Sequence, residues 1–83
     1  MRTDLSGANL SGAQASRANL TEAILVNAIL SEANLSEATL LKTDLGGAEL
    51  LRTTLSRANL SGANLSGAIL AGANLFRASL NHT

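Results

Sequence analysis

Leucine recurs every five residues along this chain, and neither regular backbone element accommodates that period as one continuous piece. Every position divisible by five from Leu5 to Leu80 is Leu except Ala15. Two residues before each of them stands a small residue. From Thr3 to Thr83 this is Ala at thirteen of seventeen positions and Thr at the other four, Thr3, Thr43, Thr53 and Thr83. The residue between is mostly polar, as in Ala8-Asn9-Leu10, Ala33-Asn34-Leu35 and Ala58-Asn59-Leu60. On an α-helix five residues advance about 500°, so successive Leu scatter around the cylinder and form no stripe. On a strand an odd period flips alternate Leu to opposite faces.

A coil of very short extended segments joined by corners resolves both conflicts. In each Ala-polar-Leu triplet the Ala and Leu point inward, the polar residue points outward, and the next two residues turn the corner. Six of the seven Gly (Gly7, Gly12, Gly47, Gly62, Gly67 and Gly72) hold the second corner position, where a type II turn needs φ > 0; Gly46 sits one place earlier. The unit fills the chain without linker or tail, which predicts one all-β domain over residues 1–83.

The unit Ala-Asn-Leu-Ser-Gly, present verbatim at Ala8 to Gly12, Ala58 to Gly62 and Ala63 to Gly67, resembles the pentapeptide-repeat proteins, and the resemblance covers essentially all 83 residues. It implies a right-handed quadrilateral parallel β-helix, a solenoid with four pentapeptides per coil and one per face. Sixteen units then make about four coils, a rod roughly 20 Å long at a strand spacing of about 4.8 Å. In that winding, residues twenty apart lie above one another. Arg17 then stands over Glu37 over Arg57, Glu22 over Lys42, and Glu32 over Arg52, stacks that alternate in sign until Arg57 meets Arg77. The expected structural core is Leu5, Leu10, Leu20, Leu25, Leu30, Leu35, Leu40, Leu45, Leu50, Leu55, Leu60, Leu65, Leu70, Leu75 and Leu80. Ala15, in the column of Leu35, Leu55 and Leu75, is expected to leave a gap in the first coil.

Composition excludes several function classes. Six basic and six acidic residues leave no net charge, which removes long-range steering towards nucleic acid or an anionic membrane. The chain has no Cys, so thiolate chemistry and Cys-ligated metals are out. His82 has no second His or Cys to complete a metal site or a nucleophile-base pair. Asp4 and Asp44 share a column two coils apart, and Glu32 and Glu37 each have a basic partner, so no acid/base pair is expected. The glycines carry no phosphate-binding loop, and the Asn-x-Ser/Thr sequons arise from the repeat itself. No cofactor, metal, nucleic acid, membrane or small-molecule substrate is expected. The start of the chain shows no signal-peptide core and no run long enough to span a membrane, which makes the cytoplasm the default location.

What exceeds background concerns association. Ile24, Ile29 and Ile69 occupy outward positions, and Val26, Leu41, Leu51 and Phe76 occupy corners. Ile24, Val26, Ile29, Ile69 and Phe76 are the expected interaction face. The outward columns Gln14, Asn34, Thr54, Asn74 and Asn19, Thr39, Asn59, Ser79 are candidates for polar side-chain ladders. Outward Thr are too few for an ice-binding array. The expected partner is a protein, either a second copy meeting an open coil end, with Phe76 in the contact, or an unknown one. The resemblance thus implies a non-enzymatic structural or interaction module. It also raises an alternative from family members that mimic B-DNA and bind DNA gyrase, which needs a strongly acidic rod; zero net charge departs from that.

Overall fold

The computed structural model describes residues 3–82. The inward assignment of Thr83 and the reading of Met1 and Arg2 lie outside them. Each triplet is extended, and its central residue bridges in parallel to the residue twenty positions on. The bridges form four columns, which define four faces. The first face is Asp4–Ile24–Asp44–Asn64 and the second Asn9–Ile29–Glu49–Ile69. The third is Gln14–Asn34–Thr54–Asn74 and the fourth Asn19–Thr39–Asn59–Ser79. Four units therefore complete a coil, and the molecule is a quadrilateral parallel β-helix about as long as it is wide (28 × 23 × 22 Å).

Backbone bonding explains why triplets suffice. Leu5 N–H donates to Ile24 O (2.7 Å), Ile24 N–H to Thr3 O (2.7 Å) and Gly7 N–H to Val26 O (2.9 Å), and the pattern repeats up the rod. Successive peptide groups point up and down in turn, so each coil satisfies its neighbours on both sides. At each corner the next Ala closes back on the preceding Leu, as in Ala8 N–H to Leu5 O (3.0 Å). The second corner residue has φ > 0 throughout, and the first does not, which is the type II turn expected from the Gly positions. Ten of these positions hold residues other than Gly, among them Arg17 (φ 65°), Glu37 (61°) and Arg57 (60°). The left-handed region costs an L-residue roughly 1–2 kcal/mol, which the ladder bonds on either side offset. At Gly47 the need for glycine is also steric, because a Cβ there would strike the Asn27 side chain one coil below.

The outward Asn residues do more than solubilise. The N–H of the first corner residue lies outside the ladder, and the side chain two residues earlier caps it. Asn9 Oδ1 accepts from Ser11 N–H (3.1 Å) and from its hydroxyl (2.7 Å), and Asn19, Asn34 and Asn59 do the same for Thr21, Ser36 and Ser61. Asp4 caps Ser6, whose hydroxyl and backbone N–H hold the Asp4 carboxyl below the ordinary aspartate value. Polar ladders, for which the third and fourth faces were candidates, do not form through their Asn side chains, because Asn19, Asn34, Asn59 and Asn74 turn sideways into these caps. A side-chain bond between stacked face residues appears instead on the first face, from Asn64 Nδ2 to Asp44 Oδ1 (3.1 Å).

Leu25, Leu30, Leu35, Leu40, Leu45, Leu50, Leu55 and Leu60 are buried, with Ala between them. Thr43 and Thr53, standing where the repeat has Ala, are buried too. Their hydroxyls donate to Leu20 O (2.7 Å) and Leu30 O (2.6 Å) one coil below, so the polar group is satisfied inside the core. Leu5, Leu10, Leu20, Leu65, Leu70 and Leu75 are half-buried. Leu80 corrects the expected core list: it is 41% exposed, because no coil stacks on its open side.

A partly open apolar cavity of about 170 Å³ lies at the N-terminal end of the core, lined by Leu and Ala side chains of the first two coils, Ala15 among them. Filling it with Ala15→Leu should stabilise the protein by about 0.5–2 kcal/mol, read as a higher midpoint in thermal unfolding. A lower midpoint would show that the cavity cannot take the larger side chain.

Candidate functional site

Of the three opposite-charge stacks read from the sequence, two form ion pairs. Arg17 Nε lies 3.0 Å from Glu37 Oε1, and Arg52 lies 3.1 Å from Glu32 Oε2. Arg57 approaches the other Glu37 oxygen at 3.8 Å. Glu22 and Lys42 share a column but make no ion pair. Exposed pairs of this kind contribute about 0–1 kcal/mol each, so their effect is on register more than on stability.

Ile24 lies on the first face between Asp4 and Asp44, and Ile29 lies on the second between Asn9 and Glu49. Val26 occupies the corner joining those two faces. All three are half-buried and form an apolar ridge around one edge of the second coil. Ile69 is 47% exposed on the second face, above Glu49. Phe76, 60% exposed, is on the diagonally opposite corner, so the structure separates it from the Ile residues with which the sequence grouped it. The ridge forgoes a local stabilisation. Where Ile stands in place of Asn, the following corner N–H, at Val26, Ser31 or Ala71, receives no side-chain cap.

Zero net charge conceals a segregation that appears only once the faces are known. Asp4, Asp44 and Glu49 belong to the first and second faces. Diagonally across, the corner between the third and fourth faces carries Arg17, Glu37, Arg57 and Arg77. Its coils are joined directly, as by Arg57 N–H to Phe76 O (2.8 Å). Along this edge a shallow groove of about 510 Å³ is lined by Ser36, Glu37, Ser56, Arg57, Asn74 and Phe76. Ser56 Oγ donates to Ser36 Oγ (3.3 Å) in its lining, and the Arg77 guanidinium sits over the Phe76 ring, 5.1 Å from its centre. The sequence signal for this site was the broken alternation at Arg57 and Arg77.

Among the described residues no three His, Cys, Asp or Glu side chains gather as a metal site. No helix of the described residues is long and apolar enough to cross a membrane. Exposed His82 tops the corner column of Glu22 and Lys42. The carboxylates that come closest to other charged groups, Glu32 and Glu37, are those already paired with Arg. Among the described residues the arrangement offers two surfaces for contact, the apolar ridge and the Arg-lined groove.

Architecture and surface together define a repeat protein of the β-helical solenoid class, its coils closed by type II corners. The chain belongs to the pentapeptide repeats family, which matches in eight copies over residues 1–36, 16–50, 28–70 and 53–83. Three solved structures illustrate the likeness. A pentapeptide repeat protein from the Arabidopsis thaliana thylakoid lumen is 34% identical, with a TM-score of 0.90 over 96% of this chain and 59% of its own. HetL, a pentapeptide repeat protein involved in heterocyst differentiation regulation in the cyanobacterium Nostoc sp. strain PCC 7120, is 41% identical, with a TM-score of 0.94 over 96% of this chain and 37% of its own. Rfr23 from the cyanobacterium Cyanothece 51142 is 45% identical, with a TM-score of 0.63 over 95% of this chain and 57% of its own. The chain thus spans between about a third and three-fifths of the length of these relatives. No curated protein sequence matches it. With the family comes the hand of the coil, a right-handed quadrilateral β-helix.

Proposed function

We infer that the chain is a non-enzymatic protein-interaction module, a rigid square rod that presents its lateral surface to a partner protein. The ridge Ile24–Val26–Ile29 carries this reading. An Asn at position 24 or 29 would cap a corner N–H, yet the chain holds Ile there and leaves a clustered apolar edge in water. A regulatory role for HetL accords with binding rather than catalysis as the task of such a rod. Lateral docking is favoured over pairing of coil ends, since Phe76 lines a groove along the side of the rod with Ser36 and Ser56. Mimicry of B-DNA against gyrase is disfavoured by zero net charge and an Arg-rich edge.

A photo-crosslinking residue at Ile24, tested in extract of the protein's native cells, should give a discrete protein adduct, and the same residue at Asn59 on the fourth face should give none. Adding Ile29→Asn should abolish the adduct while leaving thermal stability unchanged or raised by up to about 1 kcal/mol through the new corner cap. Absence of any discrete adduct, or an adduct indifferent to Ile29→Asn, would overturn the reading.

A further inference from the structure

The edge that carries Arg17, Glu37, Arg57 and Arg77 is a charge ladder with one rung missing. Glu37 is committed on both oxygens, Oε1 to Arg17 and Oε2 to Arg57. It therefore neutralises the lower half of the column and leaves nothing for the upper half. Arg57 touches Glu37 only at 3.8 Å, and Arg77 has no carboxylate partner among the described residues, resting on the Phe76 ring instead. The backbones of Arg57 and Arg77 are thus one coil apart on the same edge, about 4.8 Å along the rod, and of the two only Arg57 meets a carboxylate among the described residues. Like charges on adjacent coils repel, and a carboxylate placed beside both relieves the repulsion and accepts charge-assisted hydrogen bonds from each.

The surroundings supply the rest of a site. Ser36 and Ser56 are small corner residues, and they leave a hollow beneath the exposed Phe76 ring. Asn74, whose Oδ1 accepts from Phe76 N–H (3.1 Å), also lines the groove. A volume of about 510 Å³ takes two or three side chains of a peptide.

We propose that this edge binds an acidic segment of a protein partner, with a carboxylate lodged between Arg57 and Arg77 and a neighbouring apolar side chain against Phe76. The proposal rests on the reading of the chain as a protein-binding rod and names the chemistry that one of its surfaces recognises. A second copy of the chain is the weaker occupant. The acidic groups on its opposite flank include Asp4 and Asp44, whose Oδ1 atoms are already bound to Ser6, and to Gly46 and Asn64, respectively.

The test is a titration of the ¹⁵N-labelled full chain, followed by amide chemical shifts, with the capped peptide acetyl-Leu-Glu-Leu-Glu-amide and with its glutamine counterpart. The glutamate peptide should shift the amides of Ser36, Ser56, Arg57, Phe76 and Arg77 saturably. The glutamine peptide should bind at least about tenfold more weakly, and Arg77→Gln should weaken the glutamate peptide by about the same factor, as loss of one charge-assisted bond implies. Phe76→Ala, at an exposed position outside the core, should also weaken binding without altering the amide spectrum of the first three coils. Equal binding of both peptides, shifts centred on Ile24 to Ile29, or no shifts at millimolar peptide would each overturn the proposal. So would a mass that doubles with concentration and reverts to monomer in Arg77→Gln, since the occupant would then be a second copy. The crosslink from Ile24 is independent of this edge. If it persists in Arg77→Gln while the peptide fails to bind, the protein-interaction reading stands and the acidic-ligand proposal falls.

Discussion

Leu40→Ala should remove about 2–5 kcal/mol of stability, the range for emptying a fully buried Leu site in a core that cannot collapse. Leu40 has no exposed surface and lies between layers of Leu and Ala above and below. The backbone around it is pinned, since Leu40 N–H donates to Asn59 O (2.7 Å) and Thr39 N–H to Ala18 O (2.8 Å). The walls therefore have little freedom to close on the void. A domain of this length has a total stability of about 4–12 kcal/mol, so the variant should show a much lower urea midpoint and a native fraction that falls visibly on warming. Leu5→Ala is the internal comparison. Leu5 is half-buried beside the N-terminal cavity, and its loss should cost well under half as much. If the two variants lost the same amount, the coils would not differ in stability along the rod, contrary to what nearest-neighbour stacking requires.

Ala48→Leu should be damaging for the opposite reason. Ala48 is fully buried, and ladder bonds tie its triplet to the coils below and above: Glu49 N–H donates to Ala28 O (2.9 Å) and Ile69 N–H to Ala48 O (2.9 Å). Small residues at the inward position opening each triplet let the four walls approach closely enough for Leu to fill the centre. A larger side chain pushes the second face outward and strains those ladder bonds. Overpacking of this kind costs about 1–3 kcal/mol. Amide exchange separates it from a simple loss of packing: the N–H groups of Glu49 and Ile69 should exchange faster by more than the global destabilisation explains. Ala13→Leu, beside the open cavity, should be tolerated. Equal damage at both positions would mean that the inward Ala sets helix diameter even where space is available.

Much of this was legible because the repeat exposes its own geometry. A Leu every fifth residue rules out straight elements, and Gly at the second corner position announces φ > 0. The number of units per coil was not in the period; it came with the family resemblance, and the Arg17–Glu37 and Arg52–Glu32 contacts then agree with it. The corner caps were hidden, because Asn9 or Asn59 reads as a solubilising residue until the unpaired N–H two positions on is located. Buried Thr43 and Thr53 were placed inward correctly, but their bonds to Leu20 O and Leu30 O depend on a coil-to-coil offset of twenty-three residues that no local pattern displays. The Arg edge was visible only as a flaw in a charge stack. Its groove needs Ser36, Ser56 and Phe76 together, which are twenty residues apart, and nothing in the sequence singles out the two serines. Grouping Phe76 with Ile24 and Ile29 failed because hydrophobicity alone does not tell which face of a square a residue occupies.

The direct superposition of residues twenty apart also governs how such a chain can change length. A duplication of twenty residues adds a storey and leaves every edge continuous. A duplication of five keeps every Leu inside and every turn intact, yet swings all that follows through a quarter turn. Placed between Arg57 and Phe76, it would carry Phe76 and Arg77 around to the neighbouring edge, dismantling the groove without disturbing the wall. The rod thus behaves like a combination dial: folding is indifferent to steps of one unit, whereas any surface composed across coils survives only steps of four.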